Sequence, residues 1–204
     1  MTASPLVLLP LGPEEERTLL RRLREGRREA FEALYHRFVG RTFRLAASLL
    51  GDRMAAEDAT QEVFLRVYRS IQGFRGDAGL GTWIHRIAVN VCYSELTRRR
   101  RRPAELSGAD PSPAVEGATD AGVGDLHAVL DLAALLSGLE PLKRVTFYLH
   151  HVEGLHAAEI ANLLDDTRDA VLKRLQRTRS ELLERMRMIG VTTDAEQRGR
   201  REAG

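Results

Sequence analysis

Between Phe74 and Arg102 the chain gathers residue types that handle nucleic-acid bases. A glycine-broken loop, Phe74-Arg75-Gly76-Asp77-Ala78-Gly79-Leu80-Gly81, runs into a helical pattern from Thr82, and five consecutive arginines, Arg98 to Arg102, close the stretch. On a helix from Thr82, Trp83, Ile84, Ile87, Ala88, Val91 and Cys92 recur at three- and four-residue intervals and form a buried stripe. Arg86, Asn90, Tyr93 and Thr97 fall on a different stripe, at i, i+4, i+7 and i+11. Guanidinium and aromatic planes stack on a base face, while amides and hydroxyls bond its edge. The second stripe therefore has the chemistry of base recognition. Any solvated face of an amphipathic helix carries similar residues; the neighbouring loop and the arginine run are what favour the sharper reading.

The elements that must hold this stretch read as helices. Pro13 suits a first helical position; Glu14, Glu15 and Glu16 fill the first turn and Arg21, Arg22 and Arg24 the last, before Gly26 ends the helix. From Glu29 to Leu50, Phe31, Leu34, Tyr35, Phe38, Thr42, Leu45 and Leu49 keep helical spacing, and Gly51-Asp52 supplies a stop and a cap. The helix from Arg53 to near Gln72 buries Ala56, Ala59, Val63, Val67 and Ile71 and shows Glu57, Asp58, Gln61 and Glu62 near its start. Those acids either complement the helix dipole or face a partner.

Pro103 ends the first unit. Residues 103–124 are rich in proline and glycine without apolar periodicity and read as a flexible linker, able to span on the order of 65–70 Å when extended. A second domain, 125–188, follows: a helix through Leu126, Val129, Leu130, Ala133 and Leu136, another from Leu142 to Val152, a short one from His156 to Leu164, and a long basic one from Arg168 to near Met188. Two helices across the turn Asp165-Asp166-Thr167, the second rich in arginine, form a helix-turn-helix pattern. The fold class is all-α: two small helical domains, 13–102 and 125–188, joined by a flexible linker.

Composition sets the limits. With 204 residues, 43% hydrophobic and 5% aromatic, the chain can build helical cores. Its net charge is only +2, yet the charge is clustered, basic in 98–102 and 168–187 and acidic in 14–16, 57–62 and 110–125. A single cysteine, Cys92, forms no internal disulfide and suits a reducing cytoplasm; on the apolar stripe it reads as an inert buried thiol. No stretch approaches the roughly 20 apolar residues that span a bilayer, so no membrane insertion is expected. His150 and His156 are six apart, a poor match to one helical face, and no carboxylate or cysteine cluster completes a metal site. No nucleophile, base and orienting group recur together, so neither catalysis nor a cofactor is expected.

Several blocks, in order and spacing, resemble the bacterial RNA polymerase sigma factors of the extracytoplasmic-function (ECF) group. They are Glu29-Ala30-Phe31-Glu32-Ala33-Leu34-Tyr35, Ala56-Glu57-Asp58-Ala59-Thr60-Gln61-Glu62-Val63-Phe64, Phe74-Arg75-Gly76-Asp77-Ala78, Thr82-Trp83-Ile84 and Arg86-Ile87-Ala88-Val89-Asn90. The resemblance implies that the first domain binds core RNA polymerase through Asp58, Gln61 and Glu62. It implies that Phe74, Arg75, Gly76, Asp77 and Ala78, with Tyr68, Arg86 and Asn90 beside them, capture an unstacked base of the single-stranded nontemplate strand at the minus-ten element. The second domain would read the duplex minus-thirty-five element, through Arg168, Lys173, Arg174 and Arg177, and an anti-sigma factor is implied as a further partner.

The second domain departs from the family pattern at its turn. Asp166 stands where an apolar residue is usual, and burying an unpaired carboxylate is costly; an exposed Asp166 capping the next helix is the expected resolution. A decoy that titrates an anti-sigma factor, or a conventional helix-turn-helix regulator, are the alternative functions. The second leaves the first-domain blocks unexplained.

Overall fold

A helix that opens on proline and three glutamates and ends in arginines has its termini defined locally, and the computed structural model of the chain, which describes residues 12–76, 79–101 and 133–188, bears this out. α1 runs Pro13–Arg24, with Glu14, Glu15 and Glu16 in its first turn. α2 spans Arg28–Leu50 without a break at Gly40 and ends at Gly51, which takes the left-handed conformation at φ 68°. A side chain there would be strained, and its Cβ would also meet that of Ala133 at 3.2 Å. Asp52 accepts a hydrogen bond from the Ala55 amide at 2.6 Å and caps α3, Arg53–Ser70. A 3-10 turn, Ile71–Gly73, follows, and α4 begins at Leu80, two residues before the expected Thr82, and continues to Arg101.

α2, α3 and α4 pack on one another around Leu34, Phe38, Leu49, Val63, Val67, Ile84 and Val89, all nearly inaccessible. Of the expected apolar stripe, Ile84, Ala88, Val91 and Cys92 are buried, whereas Trp83 and Ile87 are half-buried at its edge and Val89, outside the stripe, is buried with it. Cys92 is 1% exposed, and burial, with Glu95 nearby, pushes its thiol up to about 12. The thiolate is the nucleophile, and burial disfavours it at neutral pH. A maleimide should therefore leave the native protein unlabelled and modify one thiol per chain in denaturant. Rapid labelling of the native protein would show that this core opens.

By contacts the chain divides after Gly154. The first unit includes α5, Pro141–His151, which packs on α4 and α2 and buries Val145, Tyr148 and Leu149. The sequence reading groups this helix with the second domain, because periodicity shows that a face is apolar but not which surface covers it. The second unit holds α6, Ala157–Leu164, and α7, Arg168–Met188, packed on each other. All described elements are helical. The linker 103–124 and the first expected residues of the second domain, 125–132, lie outside the described residues.

Candidate functional site

Three surfaces carry the candidate residues. On α3, Asp58 and Gln61 are exposed, and Glu62 is half-buried in an ion pair with Arg66 at 2.6 Å. The same face carries large apolar side chains in the open: Met54 is 76% exposed and Leu65 49%. Met54, Asp58, Gln61, Leu65 and Tyr68 follow one another at steps of four, three, four and three, a single seam along the helix. Sequence reasoning missed Met54 and Leu65. The signal was present as two apolar residues in heptad register with the polar ones, on the face opposite the core.

At the far end of that seam Tyr68 is 65% exposed and rests edge-on against Phe31, ring centroids 5.2 Å apart. The chain then turns through Ile71–Gly73 into the loop. Phe74 is 7% exposed: its ring tilts onto Trp83 at 4.8 Å, and its carbonyl accepts a hydrogen bond from Arg24 Nη2 at 2.7 Å. Its side chain thus shapes the base of the loop and does not project from it. Arg75 and Gly76 are exposed, and Gly76 adopts φ 85°, a conformation that favours glycine. Asp77 and Ala78 lie outside the described residues.

On α4, Trp83, Arg86 and Asn90 succeed one another at i, i+3 and i+7 and so share a face, with Trp83 half-buried and Arg86 and Asn90 exposed. Through the Phe74–Trp83 contact this strip is continuous with the loop. Tyr93 and Thr97, half-buried, extend it toward the arginines, and Thr97 Oγ1 donates to the Tyr93 carbonyl at 2.9 Å. Within the run, Arg98 grips Glu95 through two hydrogen bonds at 2.8 and 2.9 Å, and Arg99 donates to the same carboxylate at 2.8 Å. Partial burial pushes the Glu95 carboxyl up, but the bonds from Arg99 and Arg98 outweigh it and hold the group below its ordinary value. Arg100 and Arg101 are exposed at the end of the helix; Arg102 lies outside the described residues.

In the helix-turn-helix, Asp165 takes the left-handed conformation at φ 52° to end α6. Thr167, not Asp166, caps α7, its Oγ1 accepting from the Ala170 amide at 3.2 Å. Asp166 accepts from the Thr167 amide at 2.7 Å and pairs with Arg174 Nη2 at 2.6 Å. The bonds from Arg174 and from that amide hold the Asp166 carboxyl below the usual aspartate range. The carboxylate in the turn is thus neither an unpaired charge nor a helix cap, because Arg174 reaches back two turns of α7 to meet it. This half-buries Arg174, whereas Arg168, Lys173 and Arg177 are exposed.

Residues 34–102 match the Sigma-70 region 2 family, which takes in most of α2 and all of α3, the loop and α4. The chain is 34% identical over 156 residues to the ECF RNA polymerase sigma factor SigE of Mycolicibacterium smegmatis, covering 75% of this chain and 60% of that one. It is 34% identical over 157 residues to SigG of Mycobacterium tuberculosis, covering 66% of this chain and 42% of the relative. The chain thus spans less than two thirds of the length of these mycobacterial relatives. With the ECF sigma-E factor of Escherichia coli K12 the identity is 28%, over 82% of this chain and 92% of the relative. In fold the chain is similar to CnrH, solved in complex with the cytosolic domain of CnrY, at a TM-score of 0.58 and 22% identity over 85% of this chain and 97% of that one. It is also similar to the sigma factor RpoE of Bartonella quintana, solved with the anti-sigma factor NepR, at a TM-score of 0.57 and 20% identity over 80% and 98% of the two chains. The chain thus carries a sigma-70 region 2 over residues 34–102 within an all-helical, two-part architecture, and is similar over most of its length to ECF RNA polymerase sigma factors.

Proposed function

We propose that this chain binds core RNA polymerase, directs it to promoters with two recognition elements and nucleates their melting, without catalysis of its own and in the cytoplasm. The α3 seam is the polymerase-binding surface: exposed apolar residues in heptad register with Asp58, Gln61 and Glu62 fit a coiled-coil partner, and the carboxylates favour a basic one. The loop from Phe74, with Tyr68, Arg86 and Asn90, meets the unstacked nontemplate strand of the minus-ten element. Extruding a base costs a few kcal/mol, and the site must offset that by stacking and edge bonds. Arg100 and Arg101 bind phosphates, a contact without sequence preference whose strength falls with salt.

The second unit, through the helix-turn-helix of α6 and α7, reads the minus-thirty-five element, with Arg168, Lys173 and Arg177 on α7 nearest the duplex. Arg174, tied to Asp166, contributes by fixing the turn as much as by reaching a base. The observation that carries the proposal is the exposed Arg86 and Asn90 strip running from Trp83 and the loop within a sigma-70 region 2. An anti-sigma factor is a further partner of this reading, supported by the complex of the similar Bartonella quintana RpoE with the anti-sigma factor NepR. The Asp166–Arg174 pair also supports a second reading, a decoy that titrates an anti-sigma factor without starting transcription, since it occupies one candidate base contact.

Run-off transcription with core polymerase on a library of promoter fragments separates the two. Transcripts that depend on this chain are expected. Asn90→Ala should keep polymerase affinity and lower open-complex formation by about 10-fold or more, the scale of one lost stacking or bidentate base contact. Polymerase binding without any transcript would favour the decoy.

A further inference from the structure

We infer that α1 braces the base-capture loop, with Glu16 and Arg24 as its positioning residues; the inference rests on the reading that this loop meets the nontemplate strand. α4 begins at Leu80, whose amide is one of the helix's orphan donors. The residue before it is Gly79, with no side chain to serve as a cap. The acceptor comes instead from 64 positions upstream: Leu80 N–H donates to Glu16 Oε1 at 2.7 Å. At the other end of the loop, Arg24 Nη2 donates to the Phe74 carbonyl at 2.7 Å. Gln72 Nε2 returns the exchange, donating to the carbonyls of Leu23 and Arg24 at 3.4 and 3.3 Å, at the C-terminal end of α1.

The division of labour within α1 points the same way. Arg17 pairs with Glu14, and Arg21 with Glu25, both on the surface. Glu16 and Arg24 send their charged groups to the loop. Leu23 is the one buried residue of α1, which also packs on α2; the polar bonds tie it to the two ends of the loop. α1 also lies ahead of the matched residues 34–102. Fixing both described ends of a loop that must stack and bond a base lowers the ordering cost of binding.

Trp83 supplies a built-in reporter, since it is the chain's single tryptophan and its ring meets Phe74 directly. The test uses holoenzyme assembled from core polymerase and the wild-type chain, Glu16→Ala, Glu16→Gln, or the Glu16→Ala/Arg24→Ala pair. Binding of a fluorescent single-stranded oligonucleotide carrying the nontemplate minus-ten sequence of a promoter selected by run-off is measured, along with acrylamide quenching of Trp83 in each free chain.

The double variant should assemble normally with polymerase, expose Trp83 to quencher and bind the oligonucleotide on the order of 10- to 100-fold more weakly, as small misplacements of a binding group do. Glu16→Gln keeps an oxygen for the Leu80 amide and should behave as wild type. The brace is overturned if the double variant matches wild type in both readouts, or if Glu16→Gln fails as badly as Glu16→Ala. If wild-type holoenzyme forms yet does not bind the oligonucleotide, the reading of the loop itself falls, and the brace falls with it.

Discussion

Replacing Arg144 with alanine is expected to destabilise the first unit by about 3–5 kcal/mol, the scale of losing several hydrogen bonds from a charged donor to covered carbonyls. Arg144 is 5% exposed and its guanidinium's partners are backbone carbonyls: Nε donates to Leu136 at 2.8 Å, Nη1 to Leu49 at 2.8 Å and Nη2 to Ala133 at 3.2 Å. Leu49 is among the last residues of α2, and Ala133 and Leu136 belong to the helical turn at 133–136. Carbonyls at helix ends have no intrahelical donor. One arginine therefore caps two helix ends and joins them to α5.

Burial, with Arg99 nearby, lowers the Arg144 pKa to about 10, so the group stays charged at neutral pH and its desolvation is a standing cost that the three bonds offset. Alanine removes both: the covered Leu49 and Ala133 carbonyls lose this donor, at about 1–3 kcal/mol each, while the Leu136 carbonyl keeps the Leu139 amide at 3.1 Å. Lysine keeps the charge but loses the planar fork that serves three acceptors, and should fall between. Hydrogen exchange reads this directly: amides of 141–151 should lose protection in Arg144→Ala, and the urea midpoint should drop. A loss under about 1 kcal/mol, the scale of an ordinary surface change, would mean that apolar burial alone docks α5.

The same arginine shows what the sequence does and does not disclose. Helix ends are legible because their signals are local: Pro13 with its three glutamates, Gly51 with its positive φ, and Asp52 bonding an amide three residues on. Most of the core faces of α2, α3 and α4 follow from periodicity for the same reason, although Tyr35 is exposed and Phe31, Trp83 and Ile87 are half-buried at the edges. What stayed hidden depends on reach after folding. Arg144 looks like any helix-face cation until α2 ends beside it. Glu16 looks like dipole compensation until Leu80 arrives from 64 residues away. Arg174 reads as a base contact until Asp166, eight residues back, is seen to bind it. Phe74 reads as one of the base-capturing loop residues because a loop sequence has no period to reveal burial; its ring is covered and joins Trp83 at the loop's base.

Leu65→Arg is expected to weaken binding to core polymerase by on the order of 100-fold, the scale of losing a central apolar contact and gaining an unmatched charge. The side chain is 49% exposed, so fold stability should change little. Leu65 lies on the seam with Met54, Asp58 and Gln61, and an apolar side chain kept in water on a charged helix is best explained by a partner that covers it. Asp58→Asn separates the two contributions. Removing a charge from the rim of a contact slows association and flattens its salt dependence, while the dissociation rate should change far less than in Leu65→Arg. Competition with a labelled sigma factor for core polymerase measures the first variant, and association kinetics at two salt concentrations the second. If Leu65→Arg binds as wild type while Asp58→Asn does not, the contact is electrostatic and the apolar seam lies outside it. If neither substitution matters, the polymerase is held by another face of the chain, and the exposed residues of α3 belong to a different partner.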